Sequence, residues 1–203
     1  MSMPLAVPRY TLRDLASFPD DGCRYELVDG LLLVTPGPAS SHEIVRARLI
    51  QRLNVYLQGS PLLLYAQGTV EWEPATHLEP DILVAPDPTR SLQIGPETKW
   101  TELEPGWLAV EISGRGSRVY DRDFKVSAYL ALGVHQVWRI DLEDRCAYVS
   151  RPDGTLEIRE TSQLTWHPPG MAEPLRIPIE ALFAGTHSGG GSAPPSAGRG
   201  ATE

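Results

Sequence analysis

Asp81, Glu111 and Lys125 stand in an order and spacing that could hold a divalent cation beside a charged group. Asp81 enters the short apolar run Ile82-Leu83-Val84-Ala85, and Glu111 lies near the end of the run WLAVEIS at 107–113. Lys125 follows in the helical segment VYDRDFKVSAYLAL. Two β-rich stretches thus bring one carboxylate each, and a helix brings an amine. That set suits Mg²⁺ (or Mn²⁺), because magnesium takes one or two carboxylates with substrate oxygens and keeps several waters. Alternation along 107–113 puts Leu108, Val110 and Ile112 on one face and Trp107, Ala109 and Glu111 on the other. A carboxylate among apolar neighbours needs a partner, and a metal ion, Lys125 or both would supply one. Asp81 has a second reading, as a turn cap paired with an arginine. Lys125 shares a helical stripe with Ala128, Tyr129 and Leu132, so it either reaches along that stripe to water or turns toward Glu111.

The elements that must position these groups are legible in turn. RYELVDGLLLVTP at 24–36 reads as a hairpin around Asp29-Gly30, since both positions of the favoured two-residue turn need positive φ. Its first strand puts Arg24, Glu26 and Val28 on one face, where Glu26 would by pattern be a solvated strand carboxylate or something more. After the breaker-rich loop 36–39, Ser40 is the expected N-cap of a helix, with Glu43 completing a capping box. His42, Val45, Leu49, Leu53 and Tyr56 fall on one stripe of that helix, and Gly59 stops it. His42 sits at the edge of this stripe, either as a satisfied structural group or as part of a site. PLLLYAQGTVEWEP at 61–74 is strand material bent at Gly68, and 82–85 is continuously apolar, as a strand buried on both faces is. Residues 87–105 read as a loop.

The turn Gly114-Arg115-Gly116-Ser117-Arg118 leads into a helix capped by Ser117 or Asp121 and ended by Gly133. It could cradle phosphate with amides, a helix N-terminus and arginines, or be a flexible basic turn; the P-loop spacing is absent. Residues 134–141 form a core-type strand, and 146–160 a second hairpin around Asp153-Gly154, with Tyr148, Ser150, Thr155 and Glu157 at a sheet edge. Residues 174–183 give a short strand and helical turn. Near the start, Thr11 with Asp14 is a capping-box pattern for a short helix.

Pro80-Asp81, then Val110-Glu111-Ile112-Ser113, then Asp121 to Lys125 with Tyr129, resembles the PD-(D/E)XK nuclease superfamily. More narrowly, the chain resembles the Uma-two family of restriction endonucleases. Tyr25-Glu26-Leu27-Val28-Asp29-Gly30, His42, Gly133-Val134 and Val137-Trp138-Arg139-Ile140-Asp141 belong to the same match, which spans residues 10–183. Ser113 departs from the parent motif, which has lysine there; in the resembled family the lysine lies in the following helix, which makes it Lys125 here. The resemblance implies an α/β (α+β) fold with a restriction-endonuclease-like core, a central mixed β-sheet flanked by helices, and extra β-hairpins. It further implies Mg²⁺-dependent hydrolysis of DNA phosphodiester bonds. Asp81, Glu111 and the Ile112 carbonyl would hold the ion, Lys125 would act beside them, and Glu26 would be a third acidic group. His42 would lie near the cleft, to contact phosphate or orient Glu26; apart from the resemblance, the local basic cluster of Arg115, Arg118 and Arg122 could grip phosphate. The alternative is a nuclease-like scaffold that binds nucleic acid or a protein and cuts nothing, which Ser113 and the net charge favour.

At 203 residues, 41% hydrophobic and 22% charged, the chain suits one globular domain at 10–184, after a loose lead-in at 1–9. Residues 185–203 are a Gly/Pro/Ser-rich tail expected to be disordered. With 18 Lys and Arg against 26 Asp and Glu, the net charge of −8 argues against a general nucleic-acid binder. A site built on carboxylates accounts for part of that charge. Two cysteines, no signal-peptide pattern and no membrane-length apolar run point to a cytoplasmic protein. A homodimer would suit a duplex with two strands to cut, though no residue pattern argues for one.

Overall fold

The runs at 82–86, 108–113 and 137–141 are buried along almost their whole length because they lie inside one sheet, covered on both faces. The computed structural model describes residues 7–90, 106–154 and 157–186. The central sheet has six strands in the order β10-β9-β8-β7-β6-β3. These are β3 (Leu62–Ala66), β6 (Ile82–Pro86), β7 (Leu108–Ser113), β8 (Val137–Asp141), β9 (Cys146–Ser150) and β10 (Ile158–Glu160). β7 and β8 run parallel, and every other neighbouring pair is antiparallel. A parallel pair needs a crossover, and a helix at 118–131 provides it. The fold is therefore a central mixed sheet flanked by helices, with additional hairpins.

One face of this sheet carries the larger core. Ile82, Val84, Leu108, Val110, Ile112, Trp138 and Ile140 pack there against Val45, Leu49 and Leu53 of α2 (Ser40–Tyr56). Leu182 and Phe183 of α5 (Ile179–Phe183) join them. So do Leu164, Trp166 and Ile177 from the hairpin of β11 (Gln163–Trp166) and β12 (Leu175–Pro178). The opposite face is apolar only at one end, where Leu83, Ala109 and Val137 meet Leu78, Tyr129 and Val134. A second, four-stranded sheet of order β2-β1-β5-β4 lies on that side. It comprises β1 (Arg24–Val28), β2 (Leu31–Thr35), β4 (Val70–Trp72) and β5 (Thr76–Leu78). Its β1–β2 turn has φ of 48° at Asp29 and 79° at Gly30, the positive values expected of that dipeptide. The short α1 (Leu12–Leu15) is held by Asp14, whose carboxylate accepts from the Thr11 amide and hydroxyl.

Several local expectations shift. Ala39, not Ser40, is the N-cap of α2, since Ala39 still has extended backbone and Ser40 is already helical, and Glu43 turns to Arg46 at 2.6 Å. Ser117 precedes the 118–131 helix without capping it through its side chain, and Asp121 lies inside the helix. The β11 strand was not anticipated, although its alternation of buried Leu164 and Trp166 with exposed Gln163 and Thr165 is plain. The lead-in is tied down by its end, where Arg9 donates to the Asp29 carbonyl at 2.7 Å. Gly185 and Thr186, assigned to the tail, continue the ordered chain, with Arg145 donating to the Thr186 carbonyl. Pro88–Arg90 form a 3₁₀ turn within the expected loop; 1–6, 91–105, 155–156 (with Thr155) and 187–203 lie outside the described residues. Among the described residues, no helix is long and apolar enough to cross a membrane.

Leu49 lies at the middle of α2 and is completely buried. Leu49→Ala is expected to lower unfolding free energy by about 3 kcal/mol, as read by urea denaturation. A loss below about 1 kcal/mol would contradict the packing described.

Candidate active site

Sheet register brings the acidic residues into one row. Ile82 pairs with Val110, which sets Asp81, one residue earlier, beside Glu111. Parallel pairing then places Glu111 beside Arg139, and Ser113 beside Asp141. All these side chains share the face on which Leu83, Ala109 and Val137 are apolar, because strand side chains alternate. That face therefore changes from apolar to ionic along the strands, and the ionic half lies under the 118–131 helix.

The helix meets it with a lysine that does not reach water. Lys125 is 1% exposed. It ends a π-helical turn, Asp121–Lys125, set between α3 (Arg118–Tyr120) and α4 (Val126–Ala131), in which the Val126 amide bonds the Asp121 carbonyl. Such single turns insert one residue into a helix and often occur at functional sites. Lys125 Nζ lies 2.6 Å from Glu26 Oε2, 3.3 Å from Glu111 Oε2 and 3.3 Å from Asp121 Oδ1. The ammonium has three protons to offer, and it faces three carboxylates. Each carboxylate is fixed again from its other side. The Glu79 amide donates to Glu26 Oε1 at 2.8 Å, Tyr129 OH to Glu111 Oε1 at 2.6 Å, and Ser113 Oγ to Asp121 Oδ2 at 2.9 Å. Glu26 is thus a buried member of the cluster, not a solvated strand carboxylate. Ser113 serves as a ligand of Asp121, and Lys125 holds the cationic position beside Glu111.

Asp81 has a separate set of partners. Its Oδ2 accepts from the Ile112 amide at 2.7 Å and lies 3.0 Å from His42 Nε2. Its Oδ1 faces Arg24, whose two terminal nitrogens are 3.3 and 3.4 Å away. Burial opposes ionisation of Asp81, but the bond to His42, the charges of His42 and Arg24, and the Ile112 amide together hold its carboxyl below the ordinary range. Glu111 goes the other way. Burial above all, then Asp121, Asp81 and Glu26, push its carboxyl well up against the pull of Lys125. Burial raises Glu26 as well, offset in part by Lys125. Four buried carboxylates, Glu26, Asp81, Glu111 and Asp121, thus gather around Lys125 and Arg24, and the two whose carboxyls burial raises, Glu26 and Glu111, both face the lysine.

These groups open onto a cleft of about 870 Å³ whose lining includes Arg24, His42, Asp81, Glu111, Ile112 and Lys125. Of the three arginines assigned to phosphate, Arg115 lines this cleft, at its rim and 3.2 Å from Glu143. Arg118 is engaged by Asp141 at 2.8 Å and by Asp144, and Arg122 by Asp123 at 2.6 Å. Neither is brought to the cleft wall. Three further residues join the site without an expected role in it: Arg24, Asp121 and Tyr129. Arg24 shares a strand face with Glu26, and Asp121 is four residues before Lys125, so both spacings carried a signal. Among the described residues, no group of three or more His, Cys, Asp or Glu is arranged to hold a metal ion by itself.

On the cleft wall His77 stands between Glu71, 2.9 Å from Nδ1, and Glu79, 3.2 Å from Nε2. Burial opposes its charge, but the bonds to Glu79 and Glu71 raise its pKa above the ordinary value. Its contribution to stability is thus fully present below about pH 6.5 and is lost as the pH rises through the folded-state value. The stability difference between wild type and His77→Gln should be larger at about pH 6 than at about pH 9. Equal differences in urea denaturation at the two pH values would refute the clamp. Replacing the buried ammonium is a more severe change: Lys125→Met should cost about 3–5 kcal/mol, because it leaves carboxylates buried without their cation. A near-neutral effect in the same assay would show that Lys125 is not the cluster's counter-charge.

Comparison with known proteins bears on the fold and the family. A crystal structure of a "putative nuclease belonging to DUF820" from Anabaena variabilis superposes with a TM-score of 0.66 at 17% identity, covering 86% of this chain and 97% of that one. At that identity the likeness speaks for the fold. No curated protein matches the chain. Residues 11–179 match the family Uma2, described as "Putative restriction endonuclease". The match contains the acidic row, the lysine helix and the strands that carry them, and the chain belongs to the Uma2 family.

Proposed function

We propose that the chain is a metal-dependent endonuclease that hydrolyses phosphodiester bonds of DNA. The observation that carries this reading is the pairing of Asp81 and Glu111 on adjacent strands at a cleft, with Lys125 against Glu111. The donor set fits Mg²⁺ (or Mn²⁺). It is made of hard oxygens, and magnesium commonly uses two carboxylates with substrate oxygens in place of a complete protein cage. Asp81, Glu111 and the Ile112 carbonyl would hold the ion. When bound, it would stabilise charge on the phosphoryl group and make water a better nucleophile.

The chain's own residues set the geometry. The Ile112 amide and His42 fix one oxygen of Asp81, and Tyr129 fixes one oxygen of Glu111. Lys125 places a positive charge beside Glu111, where it can oppose the negative charge that develops on phosphate. Glu26 and Asp121 keep that ammonium protonated and in place. Arg115 at the rim offers a guanidinium to the nucleic-acid backbone.

A second reading is a scaffold that binds nucleic acid or a protein without cutting. One observation favours it: the oxygens of Asp81 and Glu111 are already engaged by Arg24, His42, the Ile112 amide, Lys125 and Tyr129.

Labelled single-stranded, duplex and branched DNA, incubated with Mg²⁺, Mn²⁺ or EDTA, separates the two. Wild type should cut only with metal, and Glu111→Gln should lower the rate on the order of 10²-fold or more with the fold intact by circular dichroism. Equal cutting by both proteins would remove Glu111 from the site. No cutting by either, with no rise in melting temperature at millimolar Mg²⁺, would select the scaffold.

A further inference from the structure

Asp81 presents its two oxygens to different surroundings. Oδ2 is fixed by the Ile112 amide and by His42 on α2. Oδ1 is held by the guanidinium of Arg24, which also donates to the Glu79 carbonyl at 3.1 Å and lies 3.6 Å from the Glu79 carboxylate. Arg24 is only part-buried, with a side-chain exposure of 19%, and it lines the cleft. The other cations there are differently placed. Lys125 is enclosed by three carboxylates, and Arg115 lies far out at the rim, 79% exposed.

We propose that Arg24 competes with a divalent cation for Asp81 Oδ1 and, once displaced, turns the same guanidinium to a phosphate oxygen of the nucleic acid. This inference rests on the metal-dependent reading of the site. A guanidinium and a divalent ion at one carboxylate oxygen repel each other, so they exchange in place of sharing it. The contacts to Glu79 survive the exchange, so Arg24 stays in the cleft when it leaves Asp81. Its planar fork then presents donors that match a phosphate bidentately, which a lysine could not do. The residue would act as a counter-charge before the ion binds and as a clamp afterwards, and so couple metal binding to substrate binding.

Thermal shift with Mg²⁺ alone tests the first half, using the full chain. Arg24→Ala should reach half-maximal stabilisation at about tenfold lower Mg²⁺ than wild type. Fluorescence anisotropy with a short labelled DNA duplex tests the second half, with Mg²⁺ saturating for each protein. There Arg24→Ala should bind more weakly, and the slope of log affinity against log salt should fall by about one. Wild type itself provides a measurement that needs no folded alanine variant. The Arg24 Nε–H resonance, assigned with Arg24→Lys, should shift during Mg²⁺ titration with the same midpoint as the thermal shift. A wild type that responds to Mg²⁺ with an unmoved Arg24 resonance, or an Arg24→Ala midpoint equal to that of wild type, overturns the exchange and leaves the metal reading standing. A wild type that does not respond to Mg²⁺ overturns both. An unchanged affinity and salt slope in Arg24→Ala removes the clamp.

Discussion

The Lys125 ammonium is the interaction on which the rest of this structure depends. Half of one sheet face carries acidic side chains, and the 118–131 helix covers it. Taking carboxylates out of water is unfavourable unless each has a partner of opposite charge and well-placed donors. One amine meets three of them, and a backbone amide, a phenol and a serine hydroxyl complete their shells. The helix can therefore lie on an ionic surface almost as closely as it would on an apolar one. This arrangement does not maximise stability, since an apolar replacement of similar volume often does as well or better. Its retention is easier to understand as the requirement of a site.

Geometry at the lysine comes from two independent devices. Sheet register places Asp81 and Glu111 side by side, and the π-helical turn adds a residue to the helix above them. Asp121, Lys125 and Tyr129, each four residues after the last, all point inward from that helix. Neither device alone would bring an amine to two strands and a hairpin at once. The parallel β7–β8 pair contributes too, because its crossover is the stretch of chain in which that helix lies.

Much of this was legible in the sequence. The hairpin at Asp29-Gly30, the buried run at 82–86, and the alternation that sets Glu111 apart from Val110 and Ile112 all follow from local chemistry. Less accessible were the facts that depend on where distant pieces meet. Arg24 is an ordinary strand residue until β6 brings Asp81 against it, 57 positions along the chain. The partner of Arg122, Asp123, stands next to it in sequence, but those of Arg118 are remote. Asp141 and Asp144, which claim Arg118, arrive only with β8 and the turn after it. The cap of α2 was displaced by a single position, where extended backbone outweighed the side-chain preference of Ser40.

The three residues Glu79, Pro80 and Asp81 belong to neither sheet. β5 ends on one side of them in the four-stranded sheet, and β6 begins on the other in the six-stranded sheet. Within these few residues lie the Glu79 amide that orients Glu26 and the carboxylate of Asp81. The length of this seam is therefore a fixed quantity. Adding or removing one residue would turn Asp81 to the opposite face of the sheet, into the apolar core, or pull the Glu79 amide from Glu26. A conservative substitution on the surrounding strands keeps this spacing and an insertion does not, so chain length here is a stricter structural requirement than residue identity.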